Sequence, residues 1–276
     1  MKNKAIKPFH SSTVQHVKAY AFTLAETLIV IGILGVVAAL TLPNLNHATG
    51  DKERVTRLRK VYSSLTEAYD RAEANYGSVD EWFKGTSNNT EYSSKFAGRM
   101  KEFLKVSKDC GFVPMACTSD KVHKLLDGTA ATEDTSSDYS VMLSDGMSLT
   151  FHIESSDCAT SYVAENVGAF SPSAHVCGYV VADLDGPKGA NVLGKDSFSF
   201  FITQAGIYPV GTSSDALGFE LSKAEPDWGV CWSKQVEQNA CAGWVLEYEN
   251  LDYLKADSSG KCPNDITLSA TNTSCH

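Results

Sequence analysis

Across 276 residues the acids outnumber lysine and arginine 33 to 24, for a formal net charge of −9. Such a surface repels nucleic-acid phosphates, and no basic stripe with interleaved aromatics offsets it, so no nucleic-acid partner is expected.

Residues 1–21 carry Lys2, Lys4, Lys7 and Lys18 and no acid, so their removal would take the net charge from −9 to −13. An apolar run follows from Phe22 to Leu42, which as a helix would be about 30 Å long and able to cross a bilayer. Its one charge is Glu26. A carboxylate at the centre of a span costs about 2.5–3.5 kcal/mol on insertion scales, so an acid there has a partner and a task. A secretory signal would have a shorter apolar core and a cut after it. Here the small residue available for cleavage, Ala21, precedes the run, and a cut there would keep the helix. The lysines before the run and the acids after it place the N-terminus in the cytoplasm and the bulk outside.

The stretch Ala21-Phe22-Thr23-Leu24-Ala25-Glu26, with its basic leader, resembles the type IV prepilin and pseudopilin family. That signature joins a small residue to Phe-Thr-Leu, an acid at the fifth mature position and about twenty apolar residues. Pro43 stands where many members have a helix-kinking proline. Two departures are Ala21 in place of the usual glycine and Ala25 in place of a branched aliphatic. The resemblance covers about the first 55 residues. It implies processing between Ala21 and Phe22 by a prepilin peptidase that also methylates the new amine. It also implies filament assembly, in which Glu26 attracts the Phe22 amine of a neighbouring subunit.

Beyond Pro43, Val55, Leu58, Tyr62, Leu65, Tyr69, Ala72 and Tyr76 recur at helical spacing and Gly77 ends the pattern. The expectation is one helix over residues 22–76, loosened near Pro43, with residues 44–50 as an alternative break. The stripe is read as packing on the globular domain. Residues 91–106 predict a helix, 121–126 a turn and 129–138 a polar surface loop. Strands are predicted at 139–144 and 147–153 around Asp145-Gly146, a type I′ hairpin signal. Further strands are predicted at 177–184, 198–203, 206–210 and, more weakly, 244–248.

The eight cysteines, Cys110, Cys117, Cys158, Cys177, Cys231, Cys241, Cys262 and Cys275, all follow the apolar run. Their even count, irregular spacing and extracytoplasmic placement favour disulfides over zinc, paired between nearest neighbours. The stretch 183–196 offers oxygens from Asp183, Asp185, Asn191 and Asp196 among glycines, a composition that suits a hard cation such as calcium. It lacks the EF-hand spacing, and a turn-rich connection with the acids solvated or in Asx-turns is the favoured reading of the same residues. In the resembling family, major pseudopilins bind calcium in a C-terminal loop. No cofactor is required by anything else in the chain. Enzyme motifs are absent, and His47, His123, His152, His175 and His276 are scattered.

The fold expected is α+β: a long N-terminal membrane-spanning helix packed on an antiparallel sheet domain of pilin-like form. Its parts are a leader (1–21), the helix (22–76, with its transmembrane half at 22–42) and a disulfide-containing extracytoplasmic domain (77–276). The function expected is that of a structural subunit of a type IV pilus or type II secretion pseudopilus, single-pass in a bacterial inner membrane before assembly. Its partners would be the prepilin peptidase/N-methyltransferase, other subunits, an inner-membrane assembly platform and the lipid bilayer. The alternatives are a membrane-anchored carbohydrate-binding or adhesin domain and, last, an anchored hydrolase.

Overall fold

A computed structural model describes residues 24–113, 116–119, 123–131, 136–159, 175–189, 191–211, 231, 241–269 and 271–276, with side chains 38–49 excepted. The chain divides into two units, Met1–Ala48 and Thr49–His276. Helix α1 runs Leu24–Tyr76 without interruption, so the alternative break at residues 44–50 does not occur. In the second unit its stripe is buried at Val55, Leu58, Leu65, Tyr69 and Ala72, joined by Val61 and Ala68. Tyr76 ends the stripe exposed.

A short helix α2 (Val79–Trp82) and helix α3 (Asn89–Lys101) follow. Asn88 caps α3 by accepting the Glu91 N–H at 2.9 Å, while Glu91 accepts from Ser87 N–H at 3.1 Å. The Asn88 cap satisfies one donor that the first turn cannot pair internally, and the Glu91 side chain ties the residue before the cap to the helix. The helix predicted to reach residue 106 stops at Lys101, and strand β1 (Val106–Gly111) takes over.

Strands β2 (Tyr139–Leu143), β3 (Ser148–Ile153), β4 (Val176–Asp183), β5 (Ser197–Thr203) and β6 (Gly206–Pro209) complete a six-stranded sheet in the order β1-β2-β3-β4-β5-β6. Every pairing is antiparallel. One face joins the core through Val141, Leu149, Phe151, Val180, Phe198, Phe200 and Ile202. Against that face Tyr62 of α1 stacks on Phe200 at 5.6 Å, and Phe96 of α3 meets Phe151 at 5.5 Å. The Tyr69 hydroxyl donates to the Thr203 carbonyl at 2.8 Å, pinning α1 to the end of β5.

Several local expectations are corrected. The β2–β3 connection is not type I′: Gly146 alone takes a positive φ, 87°, and donates to Leu143 O at 3.0 Å, while Leu143 N–H reaches Met147 O at 2.8 Å. That is a type I turn closed by a left-handed glycine, the usual three-residue hairpin loop. Residues 244–248, read as a weak strand, belong to helix α4 (Cys241–Tyr248). Residues 129–138 are not wholly a surface loop, since Ala131, Ser137 and Asp138 are buried. The predicted turn at 121–126 lies partly outside the described residues; within it Lys124 bridges Ala130 and Val192.

The α+β class and the antiparallel sheet stand, but the membrane-spanning helix and the single-pass inner-membrane localisation do not. Among the described residues no helix is long and apolar enough to cross a membrane. The apolar part of α1 carries an acid, Glu26, in its first turn, a group that is costly inside hydrocarbon.

Four disulfides join Cys110 to Cys117, Cys158 to Cys177, Cys231 to Cys241 and Cys262 to Cys275. This is the nearest-neighbour pairing throughout. The last of them tethers the C-terminal residues to the sheet domain, where Asp252 accepts the Cys275 N–H at 2.9 Å.

Candidate functional site

The 183–197 connection leaves β4 at Asp183 and enters β5 at Ser197, residues that face each other in the β4–β5 ladder. Asp183 Oδ1 accepts the N–H groups of Asp185 (3.1 Å) and Gly186 (2.9 Å), so the side chain folds the turn around itself. Gly186 has φ 58°, and a Cβ there would lie 2.3 Å from the Gly146 carbonyl oxygen, so only glycine lets this turn sit on the β2–β3 loop. A Cβ on Gly189 would lie 2.0 Å from Asp185 Oδ2, which shows how closely that carboxylate is cradled by the backbone. A 3₁₀ turn (Gly186–Lys188) starts at the first of these glycines and is closed by Gly189.

Distant segments hold the loop from several sides. Lys124 N–H donates to Asn191 O at 2.8 Å, and Leu193 N–H returns a bond to Lys124 O at 2.9 Å. The buried Tyr253 hydroxyl donates to Gly194 O. Arg57 of α1 donates through Nη1 to Leu184 O at 2.9 Å.

Asp183 and Asn191 are each 2% exposed, and Ser197 is fully buried. Within this enclosure Asp183 Oδ2, Asp185 Oδ1, Asn191 Oδ1 and Ser197 Oγ have no hydrogen-bond partner. A buried polar oxygen left unpaired costs about 1–3 kcal/mol, and four in one loop are not a folding convenience. Burial, with the Asp185 carboxylate beside it, pushes the Asp183 carboxyl well above the ordinary range. Burial also pushes Asp196 up to about 6; the Val192 N–H on its Oδ1 opposes this and the charge of Asp185 adds to it.

Asp183, when protonated, is close enough to Asp185 for a side-chain hydrogen bond, and the loop as a whole offers oxygens of the kind a hard dication takes. Among the described residues no three His, Cys, Asp or Glu side chains converge to hold a metal ion. The set here differs in kind: two carboxylates, an amide oxygen and a hydroxyl. Of the four residues singled out in the sequence, Asp183, Asp185 and Asn191 each present an orphaned oxygen. Asp196 has one oxygen committed to the backbone and acts on the loop through its charge. Ser197 was missed because it was read as lying outside the strand, although a strand starting one residue earlier sets it opposite Asp183.

The other sequence candidates lie at the N-terminus. Ala21 and Phe22 are outside the described residues. Glu26 is in the first turn of α1, where the helix dipole favours an acid. Nine large apolar side chains on this part of the helix (Leu24, Leu28, Ile29, Val30, Ile31, Ile33, Leu34, Val36 and Val37) are 52–80% exposed. Of the scattered histidines, His152 is buried against Asp138 (Nδ1 to Oδ1 2.6 Å) and stacks on Tyr179.

No family model, no curated protein and no solved structure matches this chain. Its function is therefore read from its own residues.

Proposed function

We propose that this chain is a structural subunit of a filament of the type IV pilus or type II secretion pseudopilus kind, cut between Ala21 and Phe22 and assembled through α1. The observation that carries this reading is the exposure of apolar side chains around the whole circumference of α1 between Leu24 and Val37. At 100° per residue these positions leave no polar face, so the segment needs cover on every side. Each large apolar side chain so covered contributes roughly 1.5–3 kcal/mol. The equivalent helices of further copies supply such cover, with Glu26 opposite the Phe22 amine of a neighbour. A prepilin peptidase/N-methyltransferase and an assembly platform are the partners this role requires.

The same proposal assigns calcium to the 183–197 loop as a structural ion. Asp183, Asp185, Asn191 and Ser197 would hold it through their orphaned oxygens. When bound, it supplies positive charge that pairs the buried carboxylates; the chain's part is to bury and orient the oxygens.

The filament reading is tested in the strain of origin by mass spectrometry of the N-terminal peptide and by filament yield from Glu26→Gln. A methylated Phe22 start and poor assembly of an otherwise stable variant are expected. An intact Met1 start, or wild-type filaments from the variant, refutes it.

A further inference from the structure

We propose that Arg57 is a positioning residue for the cation loop, and that it couples occupation of the loop to the seating of α1 on the sheet domain. This rests on the calcium reading above but not on the filament reading.

Glu53 accepts from Arg57 Nε (3.0 Å) and forms an ion pair with Arg57 Nη2 (2.7 Å), which fixes the plane of the guanidinium one helical turn later. The remaining nitrogen, Nη1, is thereby aimed at Leu184 O, 2.9 Å away. Leu184 is 1% exposed and lies between Asp183 and Asp185, whose side chains carry two of the orphaned oxygens. Its N–H is engaged by Asp196 O at 2.8 Å. Both hydrogen-bonding groups of Leu184 are therefore used, and its carbonyl looks to α1. The peptide that follows that carbonyl leads directly into Asp185, so its orientation sets where the Asp185 carboxylate points.

Beside this contact lies a cavity of about 200 Å³ lined by Gly50, Glu53, Arg54, Arg57, Leu184, Asp185 and Asp196. It is not an anion site. Arg54 pairs with Asp51 at 3.1 Å and Arg57 with Glu53, and the opposite wall is acidic. It is a polar cleft at the edge of the loop with room for several waters, between the two elements that Arg57 joins.

Coupling of this kind is reciprocal. Whatever affinity the ion gains from an ordered Leu184–Asp185 peptide, the Glu53–Arg57 turn of α1 gains in stability from the ion.

Charge and positioning predict opposite signs, which makes the test decisive. Arg57→Met removes a positive charge near the site, and by Coulomb's law alone calcium should then bind more tightly. Loss of positioning should weaken it. Calcium titration calorimetry on the full chain in detergent should show wild-type binding and roughly tenfold weaker binding for Arg57→Met, the size of one charge-assisted hydrogen bond. Arg57→Lys keeps the charge without the planar fork and should bind a few-fold more weakly than wild type, and it serves where the methionine variant does not fold. Calcium should slow hydrogen exchange at amides 53–58 in wild type and lose that effect in Arg57→Met. Equal or tighter binding by either variant overturns the coupling and leaves the calcium reading standing. Absence of calcium binding by the wild-type chain overturns both.

Discussion

The raised carboxyl of Asp196 makes the calcium-free protein lose stability as pH increases, the reverse of an ordinary paired aspartate. Burial moves this group from near 4 up to about 6. Between those values the folded chain binds more protons than the unfolded one, so stability is greatest below the unfolded value and falls as pH climbs through the folded one. For a displacement of this size the full loss is about 3 kcal/mol, of which about 1.5 kcal/mol falls between pH 5 and 8. Asp183, also raised, adds in the same direction. Asp196→Asn isolates the effect, because the amide oxygen can still accept the Val192 N–H that Asp196 Oδ1 accepts now. Urea denaturation of the full chain in detergent, with a chelator present, should show wild type losing stability from about pH 5 to pH 8. The variant should lose about 1.5 kcal/mol less over that range. Saturating calcium should reverse the wild-type slope, since the ion binds the deprotonated carboxylates. Identical slopes for wild type and Asp196→Asn would refute the assignment of the effect to this carboxyl.

Gly189→Ala puts a methyl where the Asp185 carboxylate now sits, so calorimetric calcium affinity should fall at least tenfold, and displacement of the carboxylate should cost about 1–3 kcal/mol in calcium-free stability. Tyr69→Phe removes the buried hydroxyl that donates to Thr203 O and should cost about 1 kcal/mol in urea denaturation. Replacing Cys262 and Cys275 by serine opens a bridge with a sequence separation of 13 and should cost about 2–4 kcal/mol. Non-reducing peptide mapping of the unmodified chain should return the four bridges and no others.

How far the sequence betrayed the fold depended on how far each segment's pattern had a single structural meaning. The stripe from Val55 to Ala72 could only be an amphipathic helix, and it is buried as such. The short apolar run at Trp244 had no period long enough to separate strand from buried helix, and the helix won. Strand β1, Val-Ser-Lys-Asp-Cys-Gly, was invisible because it is an exposed edge strand with register shifts against β2, where charge is favoured over apolar alternation. The disulfides were legible because all four close local loops. In the candidate site the acids and glycines announced themselves, but their burial did not. A solvated turn and an enclosed one have the same composition. Arg57 was beyond reach of any local pattern, standing 127 positions from the carbonyl it binds.

That distance bears on why an acidic loop is buried in a chain already strongly acidic. The 183–197 connection is where α1, the Lys124 segment and the Tyr253 segment all bond to the β4–β5 end of the sheet. Unpaired oxygens and raised carboxyls at such a junction weaken the contacts of every element that meets there. A cation at a hundred times its dissociation constant contributes about 2.7 kcal/mol, close to the roughly 3 kcal/mol that the displaced Asp196 titration alone costs at high pH. The displaced Asp183 titration adds to that cost, so the ion offsets part of the strain at the junction. On the filament reading, this ties the firmness of the lower half of α1 to calcium. Subunits lacking the ion should accordingly be the ones that proteases clip first in the 183–197 loop, and calcium should protect that loop in wild type more than in Arg57→Met. Equal clipping of wild type and variant at saturating calcium would show that the junction gains nothing from Arg57.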